Sequence, residues 1–352
     1  MMTLFVSIMT IGRHLLNYKR PTEQRHIIRI LFTPFIFGLF SFLSLCFYET
    51  AEYLGPLAGL YEVFAVVAIF LLFLAYVSPD PAEYATTFTN LERRTSIKQT
   101  TIHGDGSLRW FNVIWVMVFQ IMPVHFVTSI VGWILQAAMC PTDPLLRNVS
   151  ITIQVVQSLS TIMSLLAIIC FYRRLQVPLK ARRSLSKFTT FKVIISITLT
   201  QGPIFAGLND GGIFKATKYV SYEGWSVGVP SLCICCEMLL FSMAFALPFS
   251  AKEYAQLDLE SEKPGQGAEP RMNLSSAIFD AMNIWPVVRG TFFLGTVIAV
   301  LRRKKAAAVD EKQDMVYELS AERPSTSSSS IRRSASLEMQ WTVVDLRKID
   351  VS

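Results

Sequence analysis

Ionisable and amide side chains set inside long apolar runs are the residues of this chain whose types and spacing could do chemistry. Glu237 stands about midway along a run containing CICCEMLLF, Glu62 interrupts the run 56–78, and His125 and Gln201 lie at mid-depth in two others. A charge at the centre of a bilayer costs about 3 kcal/mol even on insertion scales, so such groups pair with one another or line a pathway. Two readings stay open. Glu62, Gln201, Glu237 and His125 form a polar cavity that binds a solute or couples to protons, or they are buried hydrogen-bond partners that hold helices together. Lys192, about one turn inside its run, can carry its ammonium to the interface on its own stem. Glu49 and Glu52 lie near the same outer surface as Glu62.

Other chemistries find little support. Cys233, Cys235 and Cys236 cluster inside an apolar run with no second ligand pair, which suits soft packing better than zinc. His14, His26, His103 and His125 are scattered too widely for a metal site. Asn148-Val149-Ser150 fits a glycosylation sequon but abuts a span. Walker loops, G-x-S-x-G, H-E-x-x-H and paired-carboxylate patterns do not occur. We expect neither an enzyme nor a cofactor.

The elements that must position these residues are set by the bilayer. Of 352 residues, 52% are hydrophobic and only 17% charged, against about 25% charged in soluble domains. Uncharged runs of membrane-spanning length cover 30–48, 110–137 and 149–172, while 56–78 is broken only by Glu62, 189–209 holds Lys192 near its start and 227–249 holds Glu237. A first run, MMTLFVSIMTIG, offers 12 residues before Arg13, about 18 Å of helix for a core of about 30 Å. Either that span is truncated, or Arg13 and His14 snorkel and the helix runs on to Tyr18. The predicted fold is all-α: a polytopic bundle of six to seven spans in residues 1–250, a juxtamembrane segment in 251–305 with an interfacial amphipathic helix, and a disordered tail in 306–352.

Basic and acidic residues balance in 251–352, so the net charge of +7 belongs to residues 1–250. There it concentrates in alternate loops: Lys19, Arg20, Arg25 and Arg29; Arg93, Arg94, Lys98 and Arg109; Arg173, Arg174, Lys180, Arg182, Arg183 and Lys187. The positive-inside rule puts those loops, the Arg302–Lys305 run and the C-terminus in the cytosol. This distribution orients a membrane protein and gives no sign of nucleic-acid binding. Residues 274–301 are apolar with Asp280, Pro286 and Arg289 interspersed, suiting a helix on the cytosolic leaflet, with an eighth span as the rival reading. In the polar, Ser-rich tail, Trp341 and Val344 are spaced as in short segments that add a strand to a ubiquitin-like autophagy modifier.

Several motifs resemble, in spacing and order, the Ost-alpha-like (organic solute transporter subunit alpha) family of seven-span proteins, in its fungal type. They are His14-Leu15-Leu16-Asn17-Tyr18; Pro21 with Gln24-Arg25, Arg29-Ile30 and Pro34; Tyr61-Glu62; Lys187-Phe188 with Lys192 and Gln201; Glu237-Met238 with Phe249 and Tyr254; and Asp280-Ala281-Met282-Asn283. The match runs over roughly 10–290 and departs at the short first span and at Thr200, where an aromatic residue is expected. The resemblance implies a seven-span bundle with its N-terminus outside and its C-terminus cytosolic. It also implies movement of amphipathic, steroid- or bile-acid-like solutes, a small single-span partner subunit in animal members, and a vacuolar, other endomembrane or plasma-membrane location. The alternative is a vacuolar or endomembrane scaffold whose tail recruits the autophagy modifier.

Overall fold

A computed structural model describes residues 2–79, 83, 84, 87, 88, 106–139, 143–251, 254, 274–285 and 287–291. The chain divides into two units, Met1–Ala299 and Val300–Ser352. The second lies outside the described residues, and Trp341, Val344, Arg302–Lys305 and the basic loop at 93–98 lie outside them too.

All regular structure among the described residues is helical. Helices α1 (Met2–Leu16), α2 (Pro21–Leu31) and α3 (Thr33–Cys46) lead through a 3₁₀ turn to α4 (Ala51–Val77). Then follow α5 (Gly106–Phe119), α6 (Ile121–Ala138), α7 (Pro144–Arg174), α8 (Gln176–Ala181), α9 (Ser184–Asp210), α10 (Val229–Phe245) and α11 (Leu274–Met282). Six helical stretches are long and apolar enough to cross a membrane: 21–46, 48–77, 108–138, 144–174, 184–209 and 224–245. They correspond to the six long apolar runs of the sequence. The shorter α1 packs against α2, α3 and α10.

Proline explains the interruptions inside spans. Pro34 and Pro123 lack an N–H, and their rings clash with the carbonyl four residues earlier; the helix breaks at Phe32, between α2 and α3, and at Gln120, between α5 and α6. The start of α7 is set by Asp143, whose carboxylate accepts the Leu145 N–H at 2.8 Å ahead of Pro144.

At the centre stands α4. Its stretch Ala65–Ala75 is apolar all round and buried throughout, as a helix without a polar face must be. It packs against α2, α3, α6, α7 and α8, with Phe70 edge-on to Trp115, Phe119 and Phe171. The most apolar window of its span is 67% buried, against 17% for the α9 span and 22% for the α10 span. Those two bury the least of the six spans, and their exposed apolar side chains suit contact with lipid. Lys192 is exposed on α9, as snorkelling requires.

Below the basic end, the segment 274–291 docks on the bundle through polar groups. Arg29, 3% exposed, donates Nε to the Ala281 carbonyl at 3.0 Å and a second guanidinium N–H to the Asn283 carbonyl. The Tyr18 hydroxyl donates to Asp280 Oδ2 at 2.6 Å, and Arg25 lies 3.7 Å from the same carboxylate. Burial, with Asp280 beside it, pushes the Tyr18 phenol far above its ordinary range, so it remains a donor. Farther along, Trp115 Nε1 donates to the Gly290 carbonyl at 3.3 Å. A Cβ at Gly290 would come within 2.5 Å of Phe119. Ala277, Ala281 and Val287 are buried here, while Phe279, Met282, Ile284 and Trp285 point outward.

His14 corrects one expectation. It does not snorkel on a helix running to Tyr18: α1 ends at Leu16, and the fully buried His14 ring donates Nε2–H to the Phe249 carbonyl at 2.7 Å. A carbonyl within reach satisfies the ring better than the interface would.

Candidate functional site

A cavity of about 660 Å³ opens between α4, α6, α7, α9 and α10, in the half of the bundle away from the basic loops. Local sequence makes the space. Pro56, Pro203 and Pro230 all line it, and each removes a backbone donor from its helix. A π-helical turn, Gly224–Gly228, precedes Pro230 and sets Ser226 in the wall; such turns widen a helix locally. Gly55, Gly59, Gly132 and Gly202 also line the cavity. A Cβ at Gly55, Gly59 or Gly202 would meet nothing within 4 Å, and one at Gly132 would meet only Ile153, at 3.8 Å.

Glu62, His125 and Gln201 converge on this cavity. Glu62 is half-buried and shares the wall with Thr198, whose hydroxyl donates to the Ile194 and Ile195 carbonyls of its own helix. Gln201 Nε2 donates to Glu237 Oε1 at 3.4 Å, so Glu237, which is not in the wall itself, is joined to the cavity through an amide. Gln201 Oε1, Glu237 Oε2 and Trp133 Nε1 are buried without a hydrogen-bond partner among the described residues. Leaving such an atom unpaired costs about 1–3 kcal/mol, and Trp133 and Gln201 are both residues of the cavity wall. At the rim, Gln136 donates to Glu52 at 2.8 Å.

His125 is differently placed. Its Nε2–H points to the Gln157 carbonyl at 3.2 Å, with the Thr161 hydroxyl at the same distance. Gln157 in turn donates to Thr128 at 2.9 Å, and Gln120 bonds Ser160 and Ser164 one turn farther down. This polar ladder fastens α5 and α6 to α7, as interhelical side-chain bonds do in lipid. His125 therefore forms wall and fastening at once. Trp133, Thr198 and the four glycines were not singled out from the sequence, because Trp, Thr and Gly are ordinary residues in spans.

The remaining sequence candidates fall elsewhere. Cys233 and Cys235 are half-buried and Cys236 is exposed, with Cys235 Sγ 3.7 Å from the Gly38 carbonyl. Asn148 of the sequon lies inside α7, near its start.

Six apolar spans around a cavity lined with polar side chains define a multi-pass helical membrane protein. The chain belongs to the family described as organic solute transporter Ostalpha, which matches residues 1–254. It is 24% identical over 262 residues to the vacuole membrane protein hfl11 of Schizosaccharomyces pombe, covering 71% of this chain and 59% of that protein. It is 26% identical over 275 residues to the protein LAZ1 of Arabidopsis thaliana, covering 72% of this chain and 56% of that one. The chain thus spans little more than half the length of these relatives. No solved structure matches it.

Proposed function

We propose that this chain is a membrane transporter, or the helical subunit of one, that passes amphipathic organic solutes through the cavity between α4, α6, α7, α9 and α10. The carrying observation is that cavity: about 660 Å³, within the range of about 300–1,000 Å³ usual for small-molecule sites. Its lining joins apolar surface to polar side chains from several helices, which suits a solute with one greasy body and one polar end. In this reading Glu62 and Gln201 bind the polar end, Glu237 orients Gln201, and His125 holds the α6–α7 wall. The likeness to a vacuole membrane protein supports an endomembrane location, and the distribution of basic loops supports a cytosolic basic end.

The test is uptake by proteoliposomes containing the full chain, over a panel of steroid-sized amphiphiles. We expect saturable uptake of at least one solute, lowered tenfold or more by Glu62→Gln at unchanged protein level. A folded protein that moves no panel member faster than empty liposomes would overturn the proposal.

A further inference from the structure

The segment 274–291 carries apolar side chains on two opposite sides, and the bundle covers only one of them. Ala277, Ala281 and Val287 are buried, while Ile278, Phe279, Met282, Ile284 and Trp285 are exposed, Phe279 to 79%. Within α11 helical phase separates the two sets: Ala277 and Ala281 lie one turn apart on the inner side, and Phe279 and Met282 fall on the far side. The two sides cannot trade places, because the backbone is clamped. Arg29 donates to the Ala281 and Asn283 carbonyls, Tyr18 to Asp280, and Trp115 to the Gly290 carbonyl. The Asn283 side chain accepts the Trp285 N–H at 2.9 Å and fixes the turn after α11.

From this arrangement we infer that the outer side of 274–291 docks on a lipid surface, with Phe279, Met282 and Trp285 entering the headgroup–acyl boundary of the leaflet at the basic end. Depth supports that occupant. Trp115 stands six residues along α5 from the exposed Arg109, about 9 Å at 1.5 Å per residue. Gly290 meets Trp115 there, and the apolar face of an interfacial helix sinks about 5–10 Å into this boundary. Charge agrees. Arg109 and Arg289 are exposed, and guanidinium groups at this level attract lipid phosphates. Asp280, the one carboxylate in 274–291, is held by Tyr18 and Arg25 instead of facing the headgroups unpaired. Tryptophan itself favours the interface. None of the described residues of 274–291 lines the cavity, so the docking stands apart from the solute site.

The experiment uses the full chain, free of other cysteines, in nanodiscs of phosphatidylcholine and phosphatidylserine, with one nitroxide-labelled cysteine at a time. Phe279→Cys, Met282→Cys and Trp285→Cys report the outer side and are read independently, so a variant that fails to insert leaves two others. Leu159→Cys, exposed at mid-span on α7, gives the lipid reference, and Tyr219→Cys, 89% exposed in the loop after α9, gives the water reference. Power saturation compares collision with oxygen, which concentrates in lipid, against collision with a water-soluble nickel chelate. We expect the oxygen-to-nickel ratio at all three positions to exceed that at 219 at least tenfold and to stay below that at 159. Phe279→Asp, made in the Trp285→Cys protein, should lower the ratio at 285 at least threefold, because a carboxylate resists entry into lipid; an unchanged ratio would overturn the inserted position of Phe279. Nickel access equal to that at 219 would show a side that faces water, and protection from both reagents a side covered by protein. Either result would overturn the inference and leave the solute site untouched.

Discussion

Replacing Arg29 by methionine should release the 274–291 segment from the bundle while leaving the six spans in place. Arg29 gives that segment two charge-assisted hydrogen bonds, to the Ala281 and Asn283 carbonyls. Bonds to a charged group contribute about 1.5–3 kcal/mol each, so their joint loss weakens the docking by about 3–6 kcal/mol. Methionine keeps most of the stem's packing, so the change isolates the guanidinium. The Tyr61 hydroxyl still holds the Arg29 backbone carbonyl at 2.8 Å, and α2 keeps its own helical bonds. Local opening of 274–291 then becomes easier by a factor of about a hundred to ten thousand, because each 1.4 kcal/mol is about tenfold. Hydrogen exchange of the full chain in nanodiscs reads this directly: amides of α11 should lose protection by that factor, while amides of α4 keep theirs. Arg29→Lys should fall between, since the compact ammonium lacks the planar fork that reaches both carbonyls at once. Unchanged protection of α11 in Arg29→Met would refute the anchoring argument.

Gly290→Ala forces a methyl against Phe119, where a Cβ would lie only 2.5 Å away. Overpacking of this kind costs about 1–3 kcal/mol, which should appear as faster exchange at 287–291 and increased exposure of Trp115. Single cysteines at 95 and 212 in a cysteine-free background should react oppositely with an impermeant maleimide, 212 from outside and 95 only after permeabilisation; equal labelling would contradict the orientation by charge. A peptide of residues 334–350 should bind the ubiquitin-like autophagy modifier at micromolar strength and lose binding when Trp341 and Val344 are both alanine. No binding by the unmutated peptide would remove the scaffold alternative in that form.

The spans were legible because the bilayer imposes a length that few other constraints imitate. Each of the six runs lies within or across one observed helical stretch, and only the ends moved, by up to about two and a half turns where polar residues such as Pro21–Arg29 continue a helix beyond its apolar part. The intramembrane polar residues were legible for the same reason: Glu62, Gln201 and His125 are expensive in lipid and therefore conspicuous. A shared polar cavity was one of the two readings the sequence left open, but which helices enclose it was not legible, since adjacency of α4, α6, α7, α9 and α10 depends on side-chain packing that no single run records. Trp133 and Gly132 gave no signal, because a span tolerates both anywhere. The segment after residue 273 shows the limit most clearly. Its apolar character predicted an interfacial helix, yet the side that meets the bundle is chosen by Arg29 bonding to backbone carbonyls. Every residue has a carbonyl, so sequence carries no mark of which ones are used. His14 failed likewise, its partner being the carbonyl of Phe249.

The central claim is that solute passes through the cavity, and filling the cavity tests it most directly. A leucine at Gly59 or Gly202 begins from a Cβ that meets nothing within 4 Å, so it occupies cavity space without displacing packed atoms. Uptake of a transported amphiphile by proteoliposomes should fall at least tenfold for Gly59→Leu and for Gly202→Leu, with thermal stability equal to or above that of the unmodified chain. Undiminished uptake by both variants, folded and inserted at normal levels, would show that the solute travels by another route.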